Sequence, residues 1–479
     1  MVGREIEIKE LNERYDSGRP EFIAVYGRRR VGKTYLVDET FKNRITFRHA
    51  GLSPVDEQNH KNGLKDQLRY FSLSLQLHGM KKAKVPSSWL EAFFMLEMHL
   101  KSIDDGSRQV VFLDELPWMD TPRSGFITAL ESFWNGWACH RDNLMLIVCG
   151  SATSWMNDKL INNYGGLYGR LTCQMKLSPF TLNECERFLQ SNGILLSRYD
   201  VAQCYMALGG IPYYLGFMKK GLSLAQNIDN MFFAEDAKLR EEYDRLFASI
   251  FSNPEQMKNI VRVLSTRHSG FSRQEILAKT KLDDCGSSSK LLQALEVSDF
   301  ITQYVPYGKT KRDIYYKLTD PFCLFHLQVV QSTTKPDTDF WMHNVTSARM
   351  NAWRGVAFEE LCFVHIKQIK TALGILGVSS TYSSLVVKGD ENNEGMQIDL
   401  IIERKDNVIN LCEMKFVGTE FEVKNDYEEK LRKRMNWMME HKSQRQSIQM
   451  TLVTTFGLKY GIHSGIFQRA ITLDDLFVP

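Results

Sequence analysis

Val25-Tyr26-Gly27-Arg28-Arg29-Arg30-Val31-Gly32-Lys33-Thr34 carries the pattern glycine, four residues, then Gly-Lys-Thr. Before it, Glu21-Phe22-Ile23-Ala24-Val25 is a short apolar run of strand type; after it, Tyr35-Leu36-Val37-Asp38-Glu39 reads as the first turns of a helix. Strand, glycine-rich loop and helix in that order is the setting in which backbone N–H groups cradle phosphate. Gly27 and Gly32 allow the tight curl that aims those groups at one anion. The helix start at residue 33 brings the positive end of its dipole beneath the phosphates. Lys33 is expected to reach the outer phosphates, and Thr34 to hold Mg²⁺ through its hydroxyl. Gly27, Arg28, Arg29, Arg30, Val31, Gly32, Lys33, Thr34 and Tyr35 therefore form the expected ATP-binding stretch. The bland alternative is a Gly-Arg-rich turn that binds nothing.

A second stretch fits the same chemistry. Gln109-Val110-Val111-Phe112-Leu113-Asp114-Glu115 is an apolar run ending in two acids, as in a strand buried on both faces of a parallel sheet. Ligands bind at the carboxyl edge of such sheets. Asp114 is expected to hold Mg²⁺ and Glu115 to take the proton of the attacking water. Leu144 to Cys149, then Gly150-Ser151, reads as another buried strand; Ser151 is placed either to sense the terminal phosphate or to cap a helix. Tyr164-Gly165-Gly166-Leu167-Tyr168-Gly169-Arg170 offers Arg170 as a cation for the phosphoryl-transfer transition state or as a plain surface arginine. From Pro179 to Leu224 the pattern is helical, broken at Gly209-Gly210-Ile211-Pro212.

The bulk numbers set limits. The 479 residues suggest about three domains. Hydrophobic residues make up 43% and charged residues 24%, as in a soluble globular chain. A net charge of +3 means that any contact with DNA comes from local patches. Nine scattered cysteines with no Cys-x-x-Cys pair argue for a reducing compartment and against a thiolate zinc site. The start, Met-Val-Gly-Arg-Glu, has no apolar signal region, and no apolar run reaches the ~18 residues of a membrane span. The expectation is a cytoplasmic protein with no membrane partner.

Gly3-Arg4-Glu5, the phosphate loop, Asp114-Glu115, Gly150-Ser151, Gly169-Arg170 and Gly209-Gly210-Ile211-Pro212 follow one another in a single order. That order resembles the archaeal-type ATPases of the STAND branch of the AAA-like P-loop proteins. The resemblance implies an α/β core of the ASCE type with a parallel sheet over residues 1–175, and a helical lid over 176–238. It implies that Pro212 reads nucleotide state, and that ATP turnover drives a slow switch. Arg170 acting from a neighbouring subunit would require a homo-oligomer, which no residue pattern decides.

Beyond the lid, helices are expected at Met257–Thr266, from Ser272 with a Ser-x-x-Glu capping box, and at Ser287–Ser298. A hairpin follows, Phe300–Val305 and Arg312–Leu318. Three helices and a hairpin resemble a winged helix, over 239–335. Lys290 on its third helix is offset by Glu296, while Lys309, Lys311 and Arg312 make the hairpin tip basic. DNA and a protein partner both stay open on this evidence.

In the last part, residues 345–479, Met396–Ile402 and Val408–Phe416 read as strands joined at Lys405-Asp406-Asn407. Pairing them so that Arg404 faces Val408 sets Asp399 opposite Glu413, with Lys415 on the same face. Opposed carboxylates call for a cation between them, so Asp399 and Glu413 are expected Mg²⁺ ligands. Glu359, on a preceding helix, would complete the group. The arrangement resembles the PD-(D/E)xK nuclease superfamily, an α/β restriction-endonuclease-like fold, with Ile398 where a proline is usual. The resemblance makes Glu359, Asp399, Glu413 and Lys415 the catalytic set. Relatives fused to such ATPases use the domain for cleavage or for binding alone. The helix Tyr427–His441, with Lys430, Arg432, Lys433 and Arg434, reads as a nucleic-acid contact or a solvated face.

Overall fold

A computed structural model describes the chain except residues 56–60, 152, 163–164, 252, 311, 334–336, 388 and 390–394. It divides into two compact units, Met1–Ser178 and Pro179–Pro479. Lys311, read above at the basic hairpin tip, lies outside the described residues, as do residues 56–60, which precede a helix. The described helix there begins only at Leu64 and runs to Leu77.

The first unit holds five strands: β1 (Glu21–Tyr26), β2 (Ile45–Ala50), β3 (Gln109–Asp114), β4 (Leu144–Gly150) and β5 (Cys173–Lys176). Their order is β2-β3-β4-β1-β5, and every neighbouring pair is parallel. β3 and β4 are buried along their whole length. That is why they read as unbroken apolar runs rather than as alternation. On one face, the helices Leu64–Leu77, Trp89–Ser102 and Phe126–Gly136 enclose Phe71, Trp89, Phe93, Phe126 and Phe133. Trp89 and Phe126 meet edge to face at 5.0 Å, and Phe93 stacks on Phe133 at 5.2 Å. Such pairs add to the area they bury.

The order has one consequence for chemistry. β4 lies between β1, which leads into the glycine loop, and β3, which ends in the acids. The tip of β4, Gly150-Ser151, therefore ends between the loop and the acids.

The second unit opens with the helices Leu182–Ser191, Arg198–Leu208, Pro212–Leu215 and Leu224–Phe232. The helices Pro254–Leu264, Arg273–Thr280 and Gly286–Val297 follow. With them goes an antiparallel sheet of β6 (Phe271–Ser272), β7 (Ile301–Tyr304) and β8 (Tyr315–Leu318), ordered β6-β8-β7. The capping box forms: the Glu275 carboxylate accepts from the Ser272 N–H at 2.8 Å, and the Ser272 hydroxyl accepts from the Glu275 N–H at 3.3 Å.

The chain ends in the helix Ala348–Val364 and a second five-stranded sheet. Its strands are β9 (Ser380–Val387), β10 (Met396–Arg404), β11 (Val408–Lys415), β12 (Ser447–Thr454) and β13 (Arg469–Ile471), in the order β13-β12-β11-β10-β9. β9, β10 and β11 are antiparallel. The helix Asn425–His441 carries the chain across to β12, which runs parallel to β11. Among the described residues, no helix is long and apolar enough to cross a membrane.

Candidate nucleotide site and a carboxylate cluster

The first unit gathers its site at the carboxyl ends of β1, β3 and β4. Gly27 has φ 143°, and a Cβ there would fall 2.3 Å from the Leu177 carbonyl oxygen, so the loop has no room for a side chain. Gly32, at φ 92°, is left-handed and caps the helix Lys33–Phe41. Arg4 is buried, and its Nη2 donates to the carbonyls of Val31 at 3.2 Å and Ser178 at 2.7 Å. The Gly-Arg-Glu turn thus braces the loop from outside.

Lys33 is only 6% exposed. Its Nζ donates to the carbonyls of Gly27 at 3.1 Å and Arg28 at 3.0 Å. Burial lowers its pKa, while Glu115 pulls the other way. Thr34 Oγ1 donates to Asp114 Oδ2 at 2.8 Å. Asp114 is held above the usual carboxylate range by burial and then by Glu115. A hydroxyl and a buried carboxylate already in contact, on a partly desolvated lysine's side of the loop, fit the donor set that holds Mg²⁺ on a nucleoside triphosphate. Glu115 is left-handed at φ 46°, an uncommon conformation that clusters at functional sites. The Ser151 hydroxyl donates to Glu115 Oε2 at 2.9 Å.

The remaining expected residues lie as follows. Arg28 is buried, Arg29 and Arg30 are half-buried, and Tyr35 is exposed on the first turn of the helix. Arg170 is exposed, and its side chain has no hydrogen-bond or ion-pair partner among the described residues. Pro212 belongs to the second unit, where it starts the helix Pro212–Leu215 after left-handed Gly209 and Gly210.

In the second unit, β10 and β11 pair with Leu400 opposite Cys412 and Glu403 opposite Ile409. That is the register expected from the sequence, with Asp399 and Glu413 next in line. A register shift between Ile398 and Ile401 on the β9 side falls at Asp399, the kind of irregularity that re-aims a side chain. Asp399 and Glu413 are buried, and Lys415 Nζ lies 2.6 Å from Glu413 Oε1. Glu359 comes from the helix Ala348–Val364.

These carboxylates titrate apart. Burial and then Asp399 raise Glu359 to about 9. Burial and then Glu413 raise Asp399 to about 6. Burial alone would also raise Glu413, but Lys415 and Arg434 hold it below the usual range. With Glu359 so raised, its carboxyl keeps its proton at pH 7, and Asp399 and Glu413 are matched in charge by Lys415 and Arg434; the donors fit a metal ion where it displaces that proton. Among the described residues, however, no three His, Cys, Asp or Glu side chains converge as a metal cage.

The sequence did not tie several neighbours to this cluster. Tyr427 and Arg434 both donate to Glu413, so Arg434 turns inward rather than lying on the solvated helix face. The Gln397 amide donates to Asp399 Oδ1 at 3.1 Å and to His268 Nε2 at 2.7 Å. His268 Nε2 also approaches Glu359 Oε2 at 3.7 Å. It comes from the turn before β6, 129 residues away from Gln397, a separation that no local pattern marks.

Residues 1–218 match the sequence profile of a family described as an ATPase domain predominantly from Archaea. An uncharacterized protein of Methanocaldococcus jannaschii is 27% identical over 332 residues, 69% of each chain. Among solved structures, the chain resembles the Walker-type ATPase of Pyrococcus abyssi with a TM-score of 0.48 and 18% identity, over 69% of this chain and 96% of that one. It also resembles the ORC2 protein of Aeropyrum pernix, with a TM-score of 0.42 and 14% identity, over 69% and 95%. The amino-terminal part is thus similar to an archaeal ATPase domain, and its parallel α/β sheet matches that of a P-loop nucleoside triphosphatase.

Proposed function

We propose that this chain is an ATP-binding and ATP-hydrolysing switch. One observation carries the reading: Lys33, Thr34, Asp114, Glu115 and Ser151 converge at the edge of the first sheet. Lys33 and the loop N–H groups hold the phosphates, and Thr34 and Asp114 hold Mg²⁺. When bound, the metal supplies charge neutralisation across the phosphates. Glu115 takes a proton from water as the water oxygen bonds to the terminal phosphorus. The bridging P–O bond breaks and leaves its electron pair on ADP. Ser151 fixes the carboxylate that accepts the proton. The test is phosphate release by the full chain, with Lys33→Ala and Glu115→Gln as controls. Turnover that survives both substitutions would sink this reading.

We further propose that the switch acts on a nuclease-like carboxyl-terminal domain through a winged helix at 239–335. Supporting this are the three helices with their antiparallel sheet, and the order helix, β9, β10, β11, helix, β12 around Asp399, Glu413 and Lys415. A second reading is a regulatory ATPase whose last domains bind protein partners and cut nothing. It is favoured by Glu413, which Lys415, Arg434 and Tyr427 already engage. A cleavage assay on DNA and RNA with Mg²⁺, with and without ATP, separates the two. Nicking that Asp399→Ala or Lys415→Ala abolishes supports the nuclease reading; its absence at every salt concentration supports the second.

A further inference from the structure

Arg29 stands out among the three arginines of the loop. Its guanidinium carbon lies 5.8 Å from the centre of the Trp118 ring, within the range of a cation–π contact. It makes no hydrogen bond or ion pair among the described residues. It shares the glycine loop with Lys33, four residues further on. Two like charges held together in a half-buried place repel one another. The Arg29 guanidinium offers five donors and no acceptor to an incoming anion. That repulsion is relieved when an anion sits between Arg29 and Lys33.

Trp118 fixes which end of the nucleotide this concerns. It follows Glu115 by three residues, and its N–H donates to the Glu115 carbonyl at 2.9 Å. Its own carbonyl accepts from the fully buried Gln67 amide at 2.9 Å. The ring is therefore carried on a fixed turn beside the proposed base, at the reacting end.

Resting on the ATPase reading above, we infer that Arg29 is the chain's own cation for the charge that develops on the terminal phosphoryl group during transfer, and that Trp118 is its positioning residue. As the bond to water forms and the bridging P–O bond breaks, negative charge spreads over the equatorial and leaving oxygens. Arg29 meets that charge from within the same loop that binds the diphosphate. Arg170, the arginine the sequence offered for this task, then has no part in it.

The experiment compares full-length wild type with Arg29→Ala, Arg29→Lys and Trp118→Leu. It reads kcat and KM for ATP, and affinity for ADP alone against ADP with aluminium fluoride and Mg²⁺. Arg29→Ala is expected to lower kcat by at least ~100-fold, below the loss typical of a fully enclosed arginine finger, with KM within about threefold of wild type. Affinity for ADP holds, while affinity for the aluminium fluoride complex falls with kcat. Arg29→Lys restores part of kcat, and Trp118→Leu lowers kcat without moving KM. Thermal unfolding of Arg29→Ala should match wild type, since no hydrogen bond is lost. An Arg29→Ala kcat within threefold of wild type overturns the assignment alone; so does an equal loss for ADP and its aluminium fluoride complex. A wild type that releases no phosphate overturns the ATPase reading and this assignment with it.

Discussion

Thr34 Oγ1 donates to Asp114 Oδ2 at 2.8 Å across 80 residues of sequence. The bond ties the phosphate-loop helix to the end of β3 and points both oxygens at one place. Asp114→Asn keeps the size but weakens the hold on a divalent ion. Mg²⁺ is then expected to improve ATP affinity at least ~10-fold less than it does in wild type. Titration of a fluorescent ATP analogue with and without Mg²⁺ reads this directly.

Glu115 is a base candidate because its carboxylate is held by Ser151, not because of its charge alone. Glu115→Gln should leave nucleotide binding intact and lower kcat by about 10²–10⁴, the usual worth of general acid–base catalysis. Ser151→Ala should lower kcat less and leave KM in place. Equal losses in ATP affinity and kcat would move both residues from chemistry to simple binding.

In the second unit, Lys317 Nζ and Glu360 Oε1 form a 2.9 Å ion pair, with side chains only 6% and 3% exposed. Lys317 also lies 3.5 Å from the centre of the Phe363 ring. Removing one partner strands the other charge away from water. Lys317→Met is expected to destabilise this unit by about 3–5 kcal/mol. Lys317→Met with Glu360→Leu should recover most of that loss, because no charge is left buried. Urea unfolding of the two variants gives the comparison.

The His365 ring nitrogen Nδ1 lies 2.9 Å from the Leu361 carbonyl, and Nε2 accepts from the Leu182 N–H at 3.0 Å. Both nitrogens are engaged in the neutral form, and burial pushes the pKa down to about 4. The unfolded chain binds a proton near the ordinary value of about 6.5. Stability from this group is therefore complete above about 6.5 and is lost as pH falls toward 4, by about 1.4 kcal/mol per unit. His365→Gln should flatten that slope in chemical unfolding measured at pH 7, 6 and 5. His326, also lowered to about 4 by burial, leaves a residual slope behind.

The parts of the fold that were legible in the sequence share a physical cause. β1, β3 and β4 are buried on both faces, so their residues had to be apolar without a break. The glycine loop announced itself through two positions that no side chain fits or favours. β10 and β11 were legible through the turn at Lys405-Asp406-Asn407, where Asn407 takes φ 65°. β2 and β5 went unread because they are the edge strands of their sheet. Arg48 and His49 interrupt β2, and Gln174 and Lys176 interrupt β5. β12 escaped because its outer residues, Ser447, Ile448 and Gln449, are polar or only partly buried.

Site residues followed the same division. Lys33, Thr34, Asp114 and Glu115 stand beside strand ends, where local pattern and chemistry coincide. Trp118 lies three residues past Glu115, where no pattern singled it out. His268 and Gln397 meet because separate elements are packed together, and no spacing rule reaches across them.

The brace at Arg4 has a practical consequence. Gly3 takes φ 72°, and Arg4 reaches back to the Val31 and Ser178 carbonyls. A substitution at Arg4 would loosen the loop meant to grip the triphosphate without touching any residue of that loop. A variant made that way would look sluggish for reasons unrelated to its chemistry.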